Sequence, residues 1–442
     1  MNRNLTRRSF LRVAGGALAA AAGAGLIPAV RNNLLQPAGT VSAQDIQADP
    51  PPDLFFAGTD GWIGLPPTPA IPIFHPDPYA EPPFTTYIFG FRNLTGLAGQ
   101  QIANQKGHAQ HVGPMWWLTE GGEFHVQLTN LGFVQRPDLF DAHTIHFHGF
   151  RDAIPYFDGE PHGSVSVPTG KLLTYVYRPK DPGTYMYHCH VEDVEHVQMG
   201  MAGPLFVRPA ANPKWAYNDP ATAFDREFVM LLTEVWAESH WCDAHIQLPE
   251  WSDYDPDFGL INGRTYPDTL APNAPIDLAM STISLHTQTD ADGYLVAPPG
   301  YPHLQYQPLS ALVRCNAGDK VLLRFANLGY MDPAMTLAGI KMKIIGRDAT
   351  QLKGRDGTDA SYWTNTIPVH VGASYEALFT APPFQAPGIP DPEIGANYNA
   401  YPLYNRNYHM ANNLEPGGFG GQRTEVRVYQ AGVLPVQTLP NT

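Results

Sequence analysis

Three short clusters of histidine, cysteine and methionine hold the side chains best suited to chemistry. They are His143-Thr144-Ile145-His146-Phe147-His148, then His188-Cys189-His190, and then His196 followed by Met199 and Met201. Two imidazoles, a thiolate and a weakly held thioether form the ligand set preferred by an electron-transfer copper ion. The sequence supplies that set as His143, Cys189, His196 and Met201.

A second metal site is predicted beside the first. Side chains alternate across a β-strand, so Cys189 points to one side while His188 and His190 point to the other. His146 and His148 also share one face, because they are two residues apart. The four histidines can therefore form a second centre, joined to the first through a few covalent bonds.

The chain contains an internal repeat that indicates how these clusters are held. Residues 121–133 and 318–330 each combine a glycine turn, a run of β-favouring residues and then Asn-Leu-Gly-aromatic. Self-similarity of this kind indicates two copies of one fold. Short segments between glycine and proline turns surround both copies, as is typical of a β-sandwich. With 41 Gly, 44 Pro and 15% charged residues, the composition also favours an all-β fold.

The three clusters resemble the copper-binding domain of the multicopper oxidases, the laccase-like cupredoxin family, and more distantly that of the copper nitrite reductases. The resemblance implies that a type 1 copper is bound by His143, Cys189, His196 and Met201. It implies that type 2/type 3 copper is bound by His146, His148, His188 and His190. Met199 is the alternative axial ligand, and Met201 is preferred because its spacing from His196 matches the family.

The same resemblance implies the domain organisation. We predict two cupredoxin-like Greek-key β-sandwich domains in an all-β fold, with the copper-binding domain at residues 44–210. A linker at 211–225 is followed by a second domain at 226–442 that lacks the usual copper ligands. Seven residues separate Cys189 from His196, whereas five is the commonest family spacing, so the ligand loop is expanded.

The second domain does not supply the missing half of the second centre. The repeat aligns His146-Phe147-His148-Gly149 with Thr336-Leu337-Ala338-Gly339, and it aligns Thr184–His190 with Tyr401–Asn407. None of these second-domain positions is a histidine. His409 lies two residues beyond the last one, and His370 lies on a predicted strand at Thr366–Val371.

Three functions remain open. The first is an oxidase that takes electrons from a small phenolic molecule or a metal ion and passes them to dioxygen. The second is a type 1 copper electron carrier, or a subunit completed by a partner. The third is a nitrite-reductase-like enzyme using His148, His188 and His409 from another subunit. Family resemblance implies a homotrimer, or a different protein that completes the second copper site.

The N-terminal 43 residues resemble a twin-arginine signal peptide. The segment Thr6–Arg12 holds paired arginines, an Ala/Gly-rich stretch follows at residues 13–30, and Val41-Ser42-Ala43 offers a small-residue cleavage site. We therefore expect a periplasmic or extracellular protein that is soluble after cleavage.

The net charge argues against nucleic acid as a partner, and the cysteine content argues against a disulfide scaffold. The formal net charge of −14 provides no basic face for nucleic acid. Only three cysteines are present, which is too few for a disulfide scaffold. Cys242 and Cys315 either pair in an oxidising compartment or stay free.

Overall fold

The computed structural model describes residues 52–68, 70–415 and 417–442. The predicted signal peptide, residues 1–43, lies outside the described residues. No helix in the described part of the chain has the length and apolar character needed to cross a membrane.

The first half of the described chain forms a β-sandwich. Its strands are β1 (Leu54–Ile63), β2 (Thr86–Asn93), β3 (Trp116–Thr119), β4 (Phe124–Gly132), β5 (His146–His148), β6 (Leu172–Tyr177), β7 (Gly183–His188) and β8 (Ala202–Arg208). One sheet has the order β2-β1-β4-β6, and the other has the order β3-β8-β7-β5. Alternate residues of β4, including Phe124, Val126 and Leu128, are buried in the core between the sheets.

The second half forms another β-sandwich. Its strands are β9 (Arg226–Val235), β10 (Phe258–Ile261), β11 (Val313–Asn316), β12 (Lys320–Asn327), β13 (Ala334–Leu337), β14 (Met342–Arg347), β15 (Thr350–Gln351), β16 (Tyr362–Thr364), β17 (Thr366–Pro368), β18 (Ser374–Thr380), β19 (Ile389–Asp391), β20 (Ala396–Asn405) and β21 (Arg423–Tyr429). The main path of one sheet is β10-β9-β12-β18-β14-β15, and that of the other is β11-β21-β20-β13-β17.

In the part of the chain that the structure describes, three short α-helices accompany the sheets: α1 (Gln100–Ala103), α2 (Asp193–Gln198) and α3 (Ala237–Ala244). The prediction of an all-β fold with two sandwiches is confirmed. The strand predicted at Thr366–Val371 ends earlier, at Pro368. The domain boundaries at 210 and 225 stay predictions, with β8 ending at Arg208 and β9 beginning at Arg226.

The two sandwiches repeat the same strand pattern. In the first, β1 runs parallel to β4 and β3 runs parallel to β8. In the second, β9 runs parallel to β12 and β11 runs parallel to β21. The Asn-Leu-Gly repeat found in the sequence ends β4 in one sandwich, and in the other its asparagine, Asn327, is the last residue of β12.

The repeated asparagine has the same structural role in both copies. Asn130 donates to the carbonyls of Asp141 and Val167 and accepts from the backbone N–H of Gly132, at 2.8–3.0 Å. Asn327 donates to the carbonyls of Met331 and Val369 and accepts from the N–H of Gly329, each at 2.9 Å. Each amide thus joins the end of a strand to two separate loop segments.

Cys242 lies in α3 and Cys315 lies in β11. Both are buried free thiols, so the disulfide considered from the sequence is not formed.

We expect Asn327→Ala to lower the free energy of unfolding by about 3 kcal/mol, because two carbonyls and one N–H lose their buried partner. Urea unfolding followed by circular dichroism measures the change. The matched control is Asn397→Ala, an exposed position whose replacement should stay within about 0.5 kcal/mol of the parent. Equal losses in both variants would contradict the role given to Asn327.

Candidate metal centre

Three buried side chains converge inside the first sandwich. Sγ of Cys189 lies 3.2 Å from Nδ1 of His196 and 4.0 Å from Nδ1 of His143. All three side chains are fully buried, and one ligand atom from each lies within 4.8 Å of the others. The structure thus brings together three of the four residues predicted to bind type 1 copper, with the thiol facing both imidazoles.

The elements around this cluster explain the expanded ligand loop. Cys189 directly follows β7, and its backbone N–H donates to the carbonyl of Met201 at 3.0 Å. Between them the chain forms α2, which carries His196 on its buried side. Glu192 starts this helix in a left-handed conformation with φ 46°. The seven-residue spacing therefore contains a helical turn that returns the imidazole to the thiol.

Met201 lies at the same cluster. A Cβ added to Gly58 of β1 would come within 2.6 Å of the His143 ring and 3.3 Å of the Met201 methyl carbon. The ends of both side chains therefore lie against this glycine. Met199 is also fully buried, and its carbonyl accepts from the N–H of Phe89 at 3.0 Å. The preference for Met201 over Met199 as a ligand stays a prediction.

The buried thiol and imidazoles control one another's protonation. Burial acts to raise the pKa of Cys189, but His196 and His143 outweigh it and hold this pKa well below its ordinary value. Burial acts to lower the pKa of His196, whereas the thiolate and Asp141 raise it. Burial dominates at His143 and lowers its pKa. The net effect raises the pKa of His196 to about 10, so without a metal this imidazole is protonated beside the thiolate. A metal cation would bind by displacing that proton.

Four histidines form a second cluster on the other side of Cys189. Ligand atoms of His146, His148 and His188 lie within 4.8 Å of one another. The ring of His190 is centred 4.9 Å from that of His146 and 5.4 Å from that of His188. Strand pairing creates this arrangement, because β5 places His146 directly opposite His188 of β7. All four predicted second-site residues are therefore neighbours.

Backbone groups orient two of these imidazoles. Nδ1 of His146 lies 2.7 Å from the carbonyl oxygen of Asp158, and Nδ1 of His188 lies 2.8 Å from that of Cys189. Each ring then has Nε2 free to bind a metal, which is the usual second-shell arrangement of histidine ligands. Burial lowers the pKa of His188 to about 3, so this imidazole is neutral at physiological pH.

The second sandwich has no histidines at the equivalent positions, as the sequence predicted. The predicted alignment of Thr184–His190 with Tyr401–Asn407, however, is wrong by one residue. Gly149 packs against Tyr185, and Gly339 packs in the same way against Tyr401. Strand pairing agrees, since Thr336 lies opposite Tyr404 just as His146 lies opposite His188. The residues at the positions of His188, Cys189 and His190 are therefore Tyr404, Asn405 and Arg406, and not Asn405, Arg406 and Asn407.

The two remaining candidate histidines occupy different places. His370 lines a cleft of about 330 Å³ together with His148, and its Nδ1 lies 3.3 Å from the carboxylate of Asp332. His409 instead lies 2.8 Å from the carbonyl oxygen of Pro256. Of these two histidines, His370 is thus the one that shares a cleft with a member of the four-histidine cluster, His148.

The second sandwich also holds the helix that carries His196. Buried Glu234 of β9 accepts from the hydroxyl of Tyr254 and from the backbone N–H of Met331, both at 2.9 Å. The same tyrosine hydroxyl lies 3.0 Å from Oε1 of Gln198 at the end of α2. The hydroxyl of Tyr330 donates to the carbonyl of Val194, which lies in the same helix. Nothing in the sequence near the ligands marks these contacts.

Sequence reasoning also missed three residues close to the ligands. Gly58 leaves room for His143 and Met201, Asp141 lies 3.7 Å from Nε2 of His196, and Asp158 orients His146. The presence of an Asp two residues before His143 was the single local signal available. The other two contacts join residues that are distant in sequence.

Comparisons with known proteins agree with this geometry. Residues 104–212 match the family model described as multicopper oxidase. A 171-residue stretch is 34% identical to laccase abr2 of Aspergillus fumigatus, covering 36% of this chain and 27% of the laccase. Copper resistance protein A of Escherichia coli is 26% identical over 53% of this chain and 37% of its own length. The chain therefore spans well under two thirds of these relatives.

Solved structures show the same fold. The blue copper oxidase from Nitrosomonas europaea superposes with a TM-score of 0.54 at 19% identity, over 85% of each chain. The multicopper oxidase mgLAC superposes with a TM-score of 0.53 at 19% identity, over 87% of each chain. The resemblance inferred from the sequence is confirmed. The matched domain and the thiolate–imidazole donor set identify copper as the metal.

We expect Gly58→Ala to reduce the type 1 copper content and the blue absorption of the purified protein. The new methyl group would displace the His143 ring, and overpacking of this kind costs about 1–3 kcal/mol. Copper analysis and visible absorption spectroscopy of the folded variant measure the expected loss. The control Gly163→Ala places its Cβ in open space. Unchanged copper content in Gly58→Ala would show that the glycine has no part in shaping the site.

We expect Glu234→Gln to change how stability depends on pH. Burial raises the pKa of Glu234 from 4.5 to about 7, so the folded state keeps a proton that the unfolded chain releases. Stability contributed by the protonated form is complete below pH 4.5 and is lost as the pH rises to about 7. Raising the pH from 5 to 8 should therefore lower the free energy of unfolding of the parent by on the order of 3 kcal/mol more than that of the neutral variant.

Unfolding in urea at pH 5 and at pH 8 measures that difference. Exposed Glu415 provides the control, because Glu415→Gln should leave the difference between the two pH values unchanged. A parallel pH response of parent and Glu234→Gln would mean that the carboxyl group is already ionised at pH 5.

Proposed function

We propose that this protein is a copper-dependent oxidoreductase of the multicopper oxidase type, which passes electrons from a type 1 copper to a second copper site. The observation that carries the proposal is the position of Cys189. Its thiol belongs to the first cluster, while the residues on either side of it, His188 and His190, belong to the second. Three consecutive residues thus connect the two clusters through covalent bonds.

The ligand roles follow from the two clusters. His143, Cys189, His196 and Met201 would hold the type 1 copper, which supplies one-electron redox change. The second site would be held by His146, His148, His188 and His190, with dioxygen as the electron acceptor. The protein positions these groups: Asp158 and the Cys189 carbonyl fix two imidazoles, and the burial of His188 keeps it neutral.

The electron donor is a small phenolic molecule or a metal ion. A metal-ion donor is supported by Asp141 and Glu192, whose carboxylates lie within 4.8 Å of a ring nitrogen of His196. Glu192 is exposed, so a cation arriving from solvent would meet a carboxylate before the buried imidazole. The net charge of −14 also favours a cationic donor over an anionic one.

A partner completes the second site in this proposal. Another copy of the chain in a homotrimer, or a different protein, would add ligands on the open side of the four histidines. His370 lies on that side within the same chain, and half of its side chain is exposed. Opening of its contact with Asp332 would leave the His370 imidazole free to bind a metal.

Two other functions are retained as alternatives. If the second cluster binds no metal, the protein is a type 1 copper electron carrier or a subunit of a larger complex. A nitrite-reductase-like enzyme would need His409 from another subunit beside His148 and His188. In its own chain the His409 ring is held by Pro256, so that function requires this contact to open.

Export to the periplasm or the cell exterior is part of the proposal. It is supported by the paired arginines at Arg7 and Arg8 and the small-residue segment Val41–Ala43.

The double variant His146→Ala/His188→Ala should keep the blue absorption and lose oxygen uptake with a phenolic donor. A loss of at least roughly 100-fold is expected, because even second-shell partners of metal ligands change activity by about 10–100-fold. Copper analysis of the parent should give more than one copper per chain. The control is His162→Ala, since the His162 side chain is 94% exposed. One copper per chain, with blue absorption intact, would support the electron carrier.

A further inference from the structure

Neither imidazole of the type 1 cluster reaches the surface. His143 and His196 are both fully buried, so an organic donor cannot touch a ligand ring directly. The ring of Phe89 meets His196 edge-on at a centroid distance of 5.7 Å. An electron from such a donor must therefore cross protein, and the aromatic rings around the cluster are the groups best suited to carry it.

A row of aromatic rings leads from His196 towards the surface. Phe89 and Tyr87 lie on the same face of β2, with ring centroids 5.7 Å apart. Trp62 of β1 is paired directly with Tyr87 across the antiparallel strands, and their centroids are 5.1 Å apart. Tyr87 and Phe89 are fully buried, whereas Trp62 is partly exposed. The row thus has one end at a copper ligand and the other at the molecular surface.

The exposed end of this row opens into a cleft of about 480 Å³. Its walls are aromatic: Trp62, Tyr79, Phe84, His108, Tyr294 and Tyr306. Glu81 and Gln305 also line it and provide hydrogen-bond acceptors. Flat walls with a few polar acceptors suit a flat aromatic molecule that carries a hydroxyl donor. We call this space the aromatic cleft.

Tyr87 has a built-in proton acceptor. Its hydroxyl donates to Oδ2 of Asp60 at 2.9 Å. The same carboxylate is buried and accepts from the backbone N–H groups of Val134 and Gln135, at 2.7–2.9 Å. These contacts fix the Asp60 carboxylate in place as the hydrogen-bond acceptor of Tyr87. When Tyr87 loses an electron, its proton can shift to Asp60 and return when the electron is replaced.

We infer that the aromatic cleft binds a phenolic electron donor, and that Trp62, Tyr87 and Phe89 connect this donor to His196. This inference rests on the proposed function, since copper(II) bound at the type 1 cluster is the one-electron oxidant. The phenol loses one electron and its hydroxyl proton and becomes a phenoxyl radical. Trp62 and Tyr87, the two oxidisable rings of the row, would carry the electron, which would tunnel past the Phe89 ring to His196 and be taken up by the bound copper(II). The phenolic proton would pass by way of Glu81 to water.

Binding is tested with 4-nitrophenol, a phenol that resists oxidation, by calorimetric titration of the copper-loaded protein. We expect Tyr294→Ala to weaken this binding by roughly tenfold through the loss of one aromatic wall. The control is Tyr362→Ala, because Tyr362 is exposed on β16, outside the cleft. No saturable binding, or equal binding by parent and Tyr294→Ala, would overturn the inference.

Electron transfer is tested by anaerobic stopped-flow reduction of the blue band with 2,6-dimethoxyphenol. Trp62→Phe and Tyr87→Phe keep a ring in place but are much harder to oxidise, so each should slow reduction by roughly tenfold or more. Exposed Trp363 gives the control Trp363→Phe. Reduction by dithionite, which does not need the cleft, should be the same in all variants.

An unchanged rate with 2,6-dimethoxyphenol in Trp62→Phe would place electron entry elsewhere, for example at Asp141, and would overturn the inference. A different result would contradict the proposed function. A protein with no blue band would disprove the type 1 site, while 4-nitrophenol titration would still decide whether the aromatic cleft binds phenols. Blue absorption with fast reduction by dithionite would keep the proposed function whatever the cleft variants show.

Discussion

Both metal clusters depend on the alternation of side chains at the end of β7. Because neighbouring residues of an extended chain leave it on opposite sides, the Cys189 thiol enters the sandwich while the imidazoles of His188 and His190 face the second cluster. A one-residue shift in the pairing of β7 with β5 would exchange these faces and separate both clusters. Both clusters therefore require the rest of the sandwich to hold β7 and β5 in this register.

The surrounding structure fixes that register from several directions. The N–H of Cys189 is tied to the carbonyl of Met201, and Asn130 ties the end of β4 to the segment before His143. The second sandwich holds α2 through Tyr254 and Tyr330. The buried Cys189 thiolate and the His196 imidazolium stabilise each other's charge, and the surrounding contacts keep these donors together for a metal cation.

The sequence was sufficient to predict the fold class and the groups that converge. The ligands lie in short local motifs, and strand alternation alone separates His188 and His190 from Cys189. Gly58, Glu234 and Tyr254 were not predictable, because their contacts with the site come from strands and loops far away in sequence. The second-sandwich alignment was wrong by one residue, because strand register is set by packing, here that of Gly339 on Tyr401, which the sequence alone does not show.

Asn405 occupies the position that corresponds to Cys189, and its side-chain amide is hydrogen-bonded to neighbouring groups. Its Oδ1 accepts from the N–H of Ala334 at 3.1 Å, and its Nδ2 donates to Gln422 at 2.8 Å. A cysteine introduced here would remove the hydrogen bonds of Gln422 and of the N–H groups of Ala334 and Asn407. A copper site introduced into the second sandwich would therefore need new partners for Gln422 and for these N–H groups as well as a replacement for Asn405.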